Sequence, residues 1–262
     1  MKTGHIRQKK KHIFAMTALF LMAVCLCICA SMRLTVRGTS FPEEDCMLYY
    51  LVNADGMKGL GHSIVMLVDG EGRGTVFSFN GMQRTLGECL LGKSGVGKMS
   101  VGTMTREETE AFLQTGNLEL DADQLSDNYD MALYRPVTEE EYDIIAAQAV
   151  PYLAAGEQFE ALYAEWFMED GERKEELGQA LEQMGQDENL PLYQIYTNNC
   201  DHAARILIAS VDIDMQDYIR HGRCMTPNGN LKAFGKEAKD WGVMTLGEQT
   251  WREKVVMFLM VF

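Results

Sequence analysis

Gly61–Asn80 reads GHSIVMLVDGEGRGTVFSFN. Here His62–Asp69 (HSIVMLVD) and Thr75–Asn80 (TVFSFN) flank Gly70-Glu71-Gly72-Arg73-Gly74, which predicts two strands joined as a hairpin. The first run is apolar on both parities, so its strand is covered on both faces and sits inside a sheet. Working back, Met47–Val52 is another apolar and aromatic run, and Asn53-Ala54-Asp55-Gly56 is turn chemistry. Three antiparallel strands in a meander follow. Working forward, Thr105-Arg106-Glu107-Glu108 reads as a capping box opening a helix to about residue 115, stopped near Gly116. Tyr129–Val137 returns as a strand. Thr138-Glu139-Glu140-Glu141 opens a second capped helix with Tyr142, Ile145, Ala146, Ala149 and Tyr152 on one buried stripe. Residues 157–188 read as an acidic helical insertion, broken at Gly171 and Gly185, with a solvated face. Leu190–Tyr196 is extended, Asn199-Cys200 opens a helix with Ala203, Ala204, Leu207 and Ile208 inward, and Val255–Phe262 reads as a final buried strand. The expected class is α+β, an antiparallel sheet packed on helices.

The chain has 262 residues, 47% of them hydrophobic, and 24 basic against 38 acidic residues give a net charge of −14. That balance argues against a nucleic-acid partner, which needs clustered Lys and Arg to neutralise phosphates. Lys2, Arg7, Lys9, Lys10 and Lys11 precede Ile13–Met32, 20 residues without a charge. At about 1.5 Å per residue such a helix crosses a hydrocarbon core of about 30 Å. The expected layout is a basic cytoplasmic tail (1–12), a transmembrane signal anchor (13–32), a tether (33–45) and a domain (46–262) held outside the cytosol by the positive-inside tendency. The protein is then a single-pass cell-membrane protein. Cys46, Cys89, Cys200 and Cys224 lie beyond the apolar run, and in an oxidising compartment two structural disulfides are the simplest reading of them.

Gly92-Lys93-Ser94-Gly95-Val96-Gly97-Lys98 has the spacing of a phosphate-cradling loop, but Met99 stands where the magnesium-binding Ser or Thr belongs. It reads as a flexible glycine-rich loop, and no nucleotide partner or cofactor is expected. Cys200, His202, His221 and Cys224 have poor zinc spacing, so no metal is expected either. Gly61-His62-Ser63 at a strand start and Asn198-Asn199-Cys200-Asp201-His202 at a helix start form the combination that can do chemistry. A helix N-terminus favours thiolate at Cys200, and the His62 imidazole can hold the proton. Asn199, Asn198 and Tyr196 are candidate oxyanion donors beside backbone N–H groups. The imidazole needs an orienting partner; Asn80, opposite His62 if the hairpin centres near Glu71, is preferred over Ser78. Each residue alone reads equally well as core, disulfide or helix cap.

With the His first and the Cys second, the chain resembles the circularly permuted papain-like cysteine hydrolases. These are the NlpC-like group with its lecithin retinol acyltransferase-like and PPPDE-type relatives. In those families the His begins a core strand in a G-H-[ST] context, as in Gly61-His62-Ser63. The nucleophile follows in N-C-x-H, as in Asn199-Cys200-Asp201-His202. The resemblance spans about residues 47–210 and implies Cys200 as nucleophile, His62 as base and a third polar residue on the strand after His62. The layout is also similar to bacterial membrane proteins with a Tyr-to-Asn-Cys helix start and a later Thr-Pro, here Thr226-Pro227. The second His of the acyltransferase-like enzymes has no counterpart in Gly74–Gly81, and Ala203 replaces an aromatic residue. Amide hydrolysis of a peptide, peptidoglycan or protein substrate is therefore implied ahead of lipid acyl transfer or phospholipase action. The alternative from another class is a non-catalytic surface module with Cys200 in a disulfide or metal site.

Overall fold

Four strands run consecutively up and down: β1 (Cys46–Asn53), β2 (His62–Val68), β3 (Gly74–Gly81) and β4 (Gly95–Met104). This computed structural model describes residues 34, 36–38, 46–59, 61–120, 127–221 and 226–261. The expected tail (1–12), anchor (13–32), most of the tether and Cys224 lie outside the described residues. Among the described residues no helix is long and apolar enough to cross a membrane. The remaining strands are β5 (Asn117–Leu118), β6 (Asp127–Asn128), β7 (Met131–Val137), β8 (Leu192–Tyr193) and β9 (Gly242–Thr245). Seven of them build one antiparallel sheet in the order β8-β4-β3-β2-β1-β7-β9, and β5 pairs with β6 alone. The molecule is α+β, an antiparallel sheet packed on helices.

The reading of β2 as an inner strand holds, for it is the middle strand of the seven. Ile64, Val65, Met66 and Leu67 are all fully buried, each side chain contributing about 1.5–3 kcal/mol of transfer free energy. The register Val65↔Phe77 to Val68↔Gly74 centres the hairpin on Glu71. One face of the sheet, with Leu48, Tyr50, Val52, Val65, Leu67, Phe77 and Phe79, is covered by α4 (Glu139–Gln148), α7 (Cys200–Ala209), α8 (Ile213–Arg220) and α9 (Pro227–Glu237). The other face, with Tyr49, Leu51, Ile64, Met66 and Val76, packs on Phe112 of α3 (Arg106–Thr115), Leu118, Tyr129 and Leu246. Three short helices complete the order: α1 (Gly56–Gly59), α2 (Leu86–Leu90) and α10 (Trp251–Val256). Both expected capping boxes form, at Thr105/Glu108 and Thr138/Glu141, and Gly116 ends α3 at φ +75°, where glycine escapes the Cβ clash.

Three expectations need correction and a fourth gains detail. Gly92–Lys98 is not a flexible loop, because β4 begins at Gly95. A Cβ on Gly97 would stand 2.3 Å from Phe79 Cζ, so glycine there permits close ring packing rather than motion. The acidic insertion is a helical hairpin of α5 (Val150–Met168) and α6 (Gly171–Met184), and its inner face is dry. Phe159, Leu181 and Met184 pack on Val96 of β4. Of Leu190–Tyr196 only Leu192–Tyr193 is strand. The expected final strand at Val255–Phe262 is helical: α10 leads into a π-helical stretch, Met257–Val261. Thr250 and Glu253 cap α10 reciprocally, and a short apolar run by itself does not distinguish strand from helix. Two residues of the tether also join the domain. Leu34 is buried, and Arg37 bridges to Val243 of β9 and donates through Nε to Trp241 O at 2.7 Å.

Candidate active site

His62 is the first residue of β2, and the chain enters it through Gly61 at φ +96°. A Cβ on Gly61 would meet Asn228 Oδ1 at 2.7 Å and Pro227 Cβ at 3.0 Å, so both backbone and packing require glycine. Asn53 Oδ1 accepts the N–H groups of Asp55 and Gly56, and Asn228 Nδ2 donates to the carbonyls of Ala54 and Gly59 at 2.9 and 3.0 Å. The turn before His62 is therefore tied at both ends.

Cys200 is the first residue of α7, with Asn199 as N-cap; Asn199 Oδ1 accepts from His202 N at 3.0 Å. The thiol is free and only 2% exposed. The helix stripe Ala203, Ala204, Leu207 and Ile208 packs into the core, which seats the first turn against the start of β2. There Cys200 hydrogen-bonds to His62, and the Ser63 N–H also points at the sulfur. Burial by itself raises the thiol pKa, but the His62 charge and hydrogen bond, with the Ser63 N–H, bring it below its ordinary value against the opposing charge of Asp201. Burial by itself lowers the His62 pKa, yet the Cys200 charge and hydrogen bond, with Asp127 behind them, raise it above its ordinary value. The two groups are displaced in the directions that favour thiolate and imidazolium together.

The third position is divided between two residues. His62 Nε2 lies 3.2 Å from Ser78 Oγ, and Asn80 Nδ2 donates to the same Oγ at 3.0 Å. Ser78 is thus the direct neighbour of the imidazole, and the preferred candidate Asn80 stands one bond behind it. Extending the Val65↔Phe77 register by three residues sets His62 against Asn80, and the ring reaches back to Ser78 two residues nearer the turn.

The three oxyanion side chains are engaged elsewhere. Tyr196 donates its hydroxyl to Leu90 O at 2.8 Å, Asn198 Nδ2 donates to Leu192 O at 2.6 Å, and Asn199 Nδ2 donates to Ile195 O at 3.0 Å. Through these bonds they shape the turn into α7. At the same helix start, the backbone N–H groups of Cys200 and Asp201 precede the first intrahelical acceptor.

Beneath the thiol lies a polar network that the sequence reading did not assign. Asp201 is fully buried and accepts from Tyr50 Oη, from Arg205 Nε at 2.9 Å and from Asn230 Nδ2 at 2.5 Å. Tyr218 Oη in turn donates to Asn230 Oδ1 at 2.7 Å. Burial raises the Asp201 pKa, while Arg205 and the hydrogen bonds hold it back. The network fastens the first turn of α7 to β1, α8 and α9. A signal for it existed in Thr226-Pro227-Asn228-Gly229-Asn230, where Thr226 caps α9 and the two asparagines reach the site. His202 takes no part in the thiol contacts; burial and then Arg205 hold its pKa low. Among the described residues no group of three or more His, Cys, Asp or Glu side chains is placed to hold a metal ion. No family model matches the chain, and no curated protein or solved structure matches it.

Proposed function

We propose that this chain is a membrane-anchored cysteine hydrolase of the permuted papain-like type, working outside the cytosol on an amide or related acyl bond. The observation that carries this reading is the Cys200–His62 pair, a free thiol at a helix N-terminus whose pKa moves down while that of its imidazole partner moves up. With Nε2 at Ser78, the ring keeps Nδ1 for the thiol. His62 takes the thiol proton, Sγ attacks the acyl carbon, and the oxyanion faces the N–H groups of Cys200 and Asp201. The imidazolium then gives its proton to the leaving amine and a thioester forms on Cys200. Water, deprotonated by His62, attacks the thioester, releases the acid and restores the thiol. Ser78, backed by Asn80, holds the ring in place through both steps. Peptides, peptidoglycan or proteins at the outer face of the membrane are the substrates this placement supplies.

The test is the alkylation rate of Cys200 against pH in the full chain in detergent, read by site-resolved mass spectrometry. An ordinary thiol titrates near 8.5. A fast plateau well below that pH, abolished in His62→Ala, is the expected result. A rate that tracks an ordinary thiol in both proteins would remove the enzyme reading.

A further inference from the structure

The last helical stretch carries an unusual surface. Trp251 is 78% exposed, Val255 47% and Leu259 55%. Their spacing of four and four places them on one stripe of the helix that runs from α10 into Met257–Val261. On the opposite side Met257 is buried, and Val256 lies against Gly59. The stretch is therefore held to the domain by one face and offers an apolar face outward, with no described residue covering Trp251, Val255 or Leu259. Arg252 and Lys254 stand beside the stripe, Arg252 paired with Asp55 and Lys254 turned to solvent, in a chain whose overall net charge is −14. An apolar stripe with a flanking tryptophan and basic residues is the pattern of a helix lying in a membrane interface.

The chain's path supplies the occupant. The apolar run ends at Met32, and Leu34 is already buried. Two residues span at most about 7 Å, so on the anchored reading Leu34 stands next to the bilayer surface. Leu34 packs at Gly235 of α9, and the Met257–Val261 stretch packs on the same helix. An 11-residue helix is about 16 Å long, so Leu34 and the C-terminal stretch meet within the length of one short helix.

We propose that this C-terminal helix docks on the bilayer surface, with Trp251, Val255 and Leu259 in the acyl boundary and Lys254 toward anionic headgroups. The proposal rests on the anchored reading above and extends it. Arg252 also pairs with Asp55 at 3.2 Å, in the turn that Asn228 ties down ahead of His62. A docked helix would thus hold the His62 end of the site near the headgroups, where acyl bonds close to the membrane are within reach.

The test uses the full chain reconstituted in phosphatidylcholine–phosphatidylglycerol vesicles whose acyl chains carry bromine near the headgroup. The protein has three tryptophans. Trp241 is buried and Trp166 stacks with Lys174, so Trp251 is the one the lipid should quench. The expected result is quenching in the wild type that disappears in Trp251→Phe, and disappears equally in Val255→Asp/Leu259→Asp with unchanged near-ultraviolet dichroism. If the chain resists a carbonate wash yet wild type and Trp251→Phe quench alike, the anchor stands and the docking is overturned, with another segment or a second copy on the stripe. If the chain washes off the vesicles, the anchored reading falls and the docking falls with it.

Discussion

Asp130 gives the sharpest quantitative handle on this fold. Its side chain is 3% exposed and accepts the Ala54 N–H at 2.6 Å, at the far end of the turn that leads to His62. Burial, with Glu253, Asp55 and Asp127 nearby, raises its pKa from 3.8 to about 6, against the opposing pull of the Ala54 N–H. A carboxyl whose folded pKa is raised binds a proton more tightly in the native state, so its contribution to stability is present below the unfolded value and is lost as pH rises through about 6. That rise in pKa makes the charged form cost about 3 kcal/mol at neutral pH. Asp130→Asn keeps an acceptor for Ala54 and removes the charge. Denaturant unfolding of the full chain in detergent, measured from about pH 4 to pH 8, should show the variant more stable by about 3 kcal/mol at neutral pH and equal to wild type near pH 4. Parallel pH profiles for the two proteins, or a variant less stable at neutral pH, would refute the reasoning.

Three more outcomes follow from the same geometry. On the proposed hydrolase reading, Ser78→Ala should lower turnover by about tenfold or more, since His62 loses its direct partner, and Asn80→Ala should lower it less; steady-state rates on a common amide substrate check the order, and the reverse order would overturn the assignment of Ser78 as the partner of the ring. Asp201→Asn removes one partner of the buried pair with Arg205 and should cost about 3–5 kcal/mol in denaturant unfolding, with Asp201→Asn/Arg205→Met recovering part of the loss. Gly97→Ala forces a methyl into the Phe79 ring and should cost about 1–3 kcal/mol, read as a lowered thermal midpoint with the far-ultraviolet spectrum intact.

Much of the frame was legible because its signals are local. A capping box is two hydrogen bonds within four residues, so Thr105/Glu108 and Thr138/Glu141 could be read directly. Thr85/Glu88 and Thr250/Glu253 carry the same signature; at Thr250 the apolar run behind it drew the reading toward a strand. The hairpin centre at Glu71 is also local, and it sets His62, Ser78 and Asn80 at adjoining positions from the turn residues alone.

The reactive groups and the turns, caps and stripes that carry them can be read along the chain, because they depend on contacts a few bonds away. Where each polar atom finds its partner is settled by how the layers pack. Tyr196, Asn198 and Asn199 have the right chemistry for an oxyanion, and each donates to a backbone carbonyl, of Leu90, Leu192 and Ile195 respectively, that no local pattern names. Asn230, 29 residues from Asp201, reaches the buried carboxylate under the thiol. A buried donor or acceptor left unpaired costs about 1–3 kcal/mol, so folding matches each to whatever group the packed layers bring near, and that meeting has no local pattern to read.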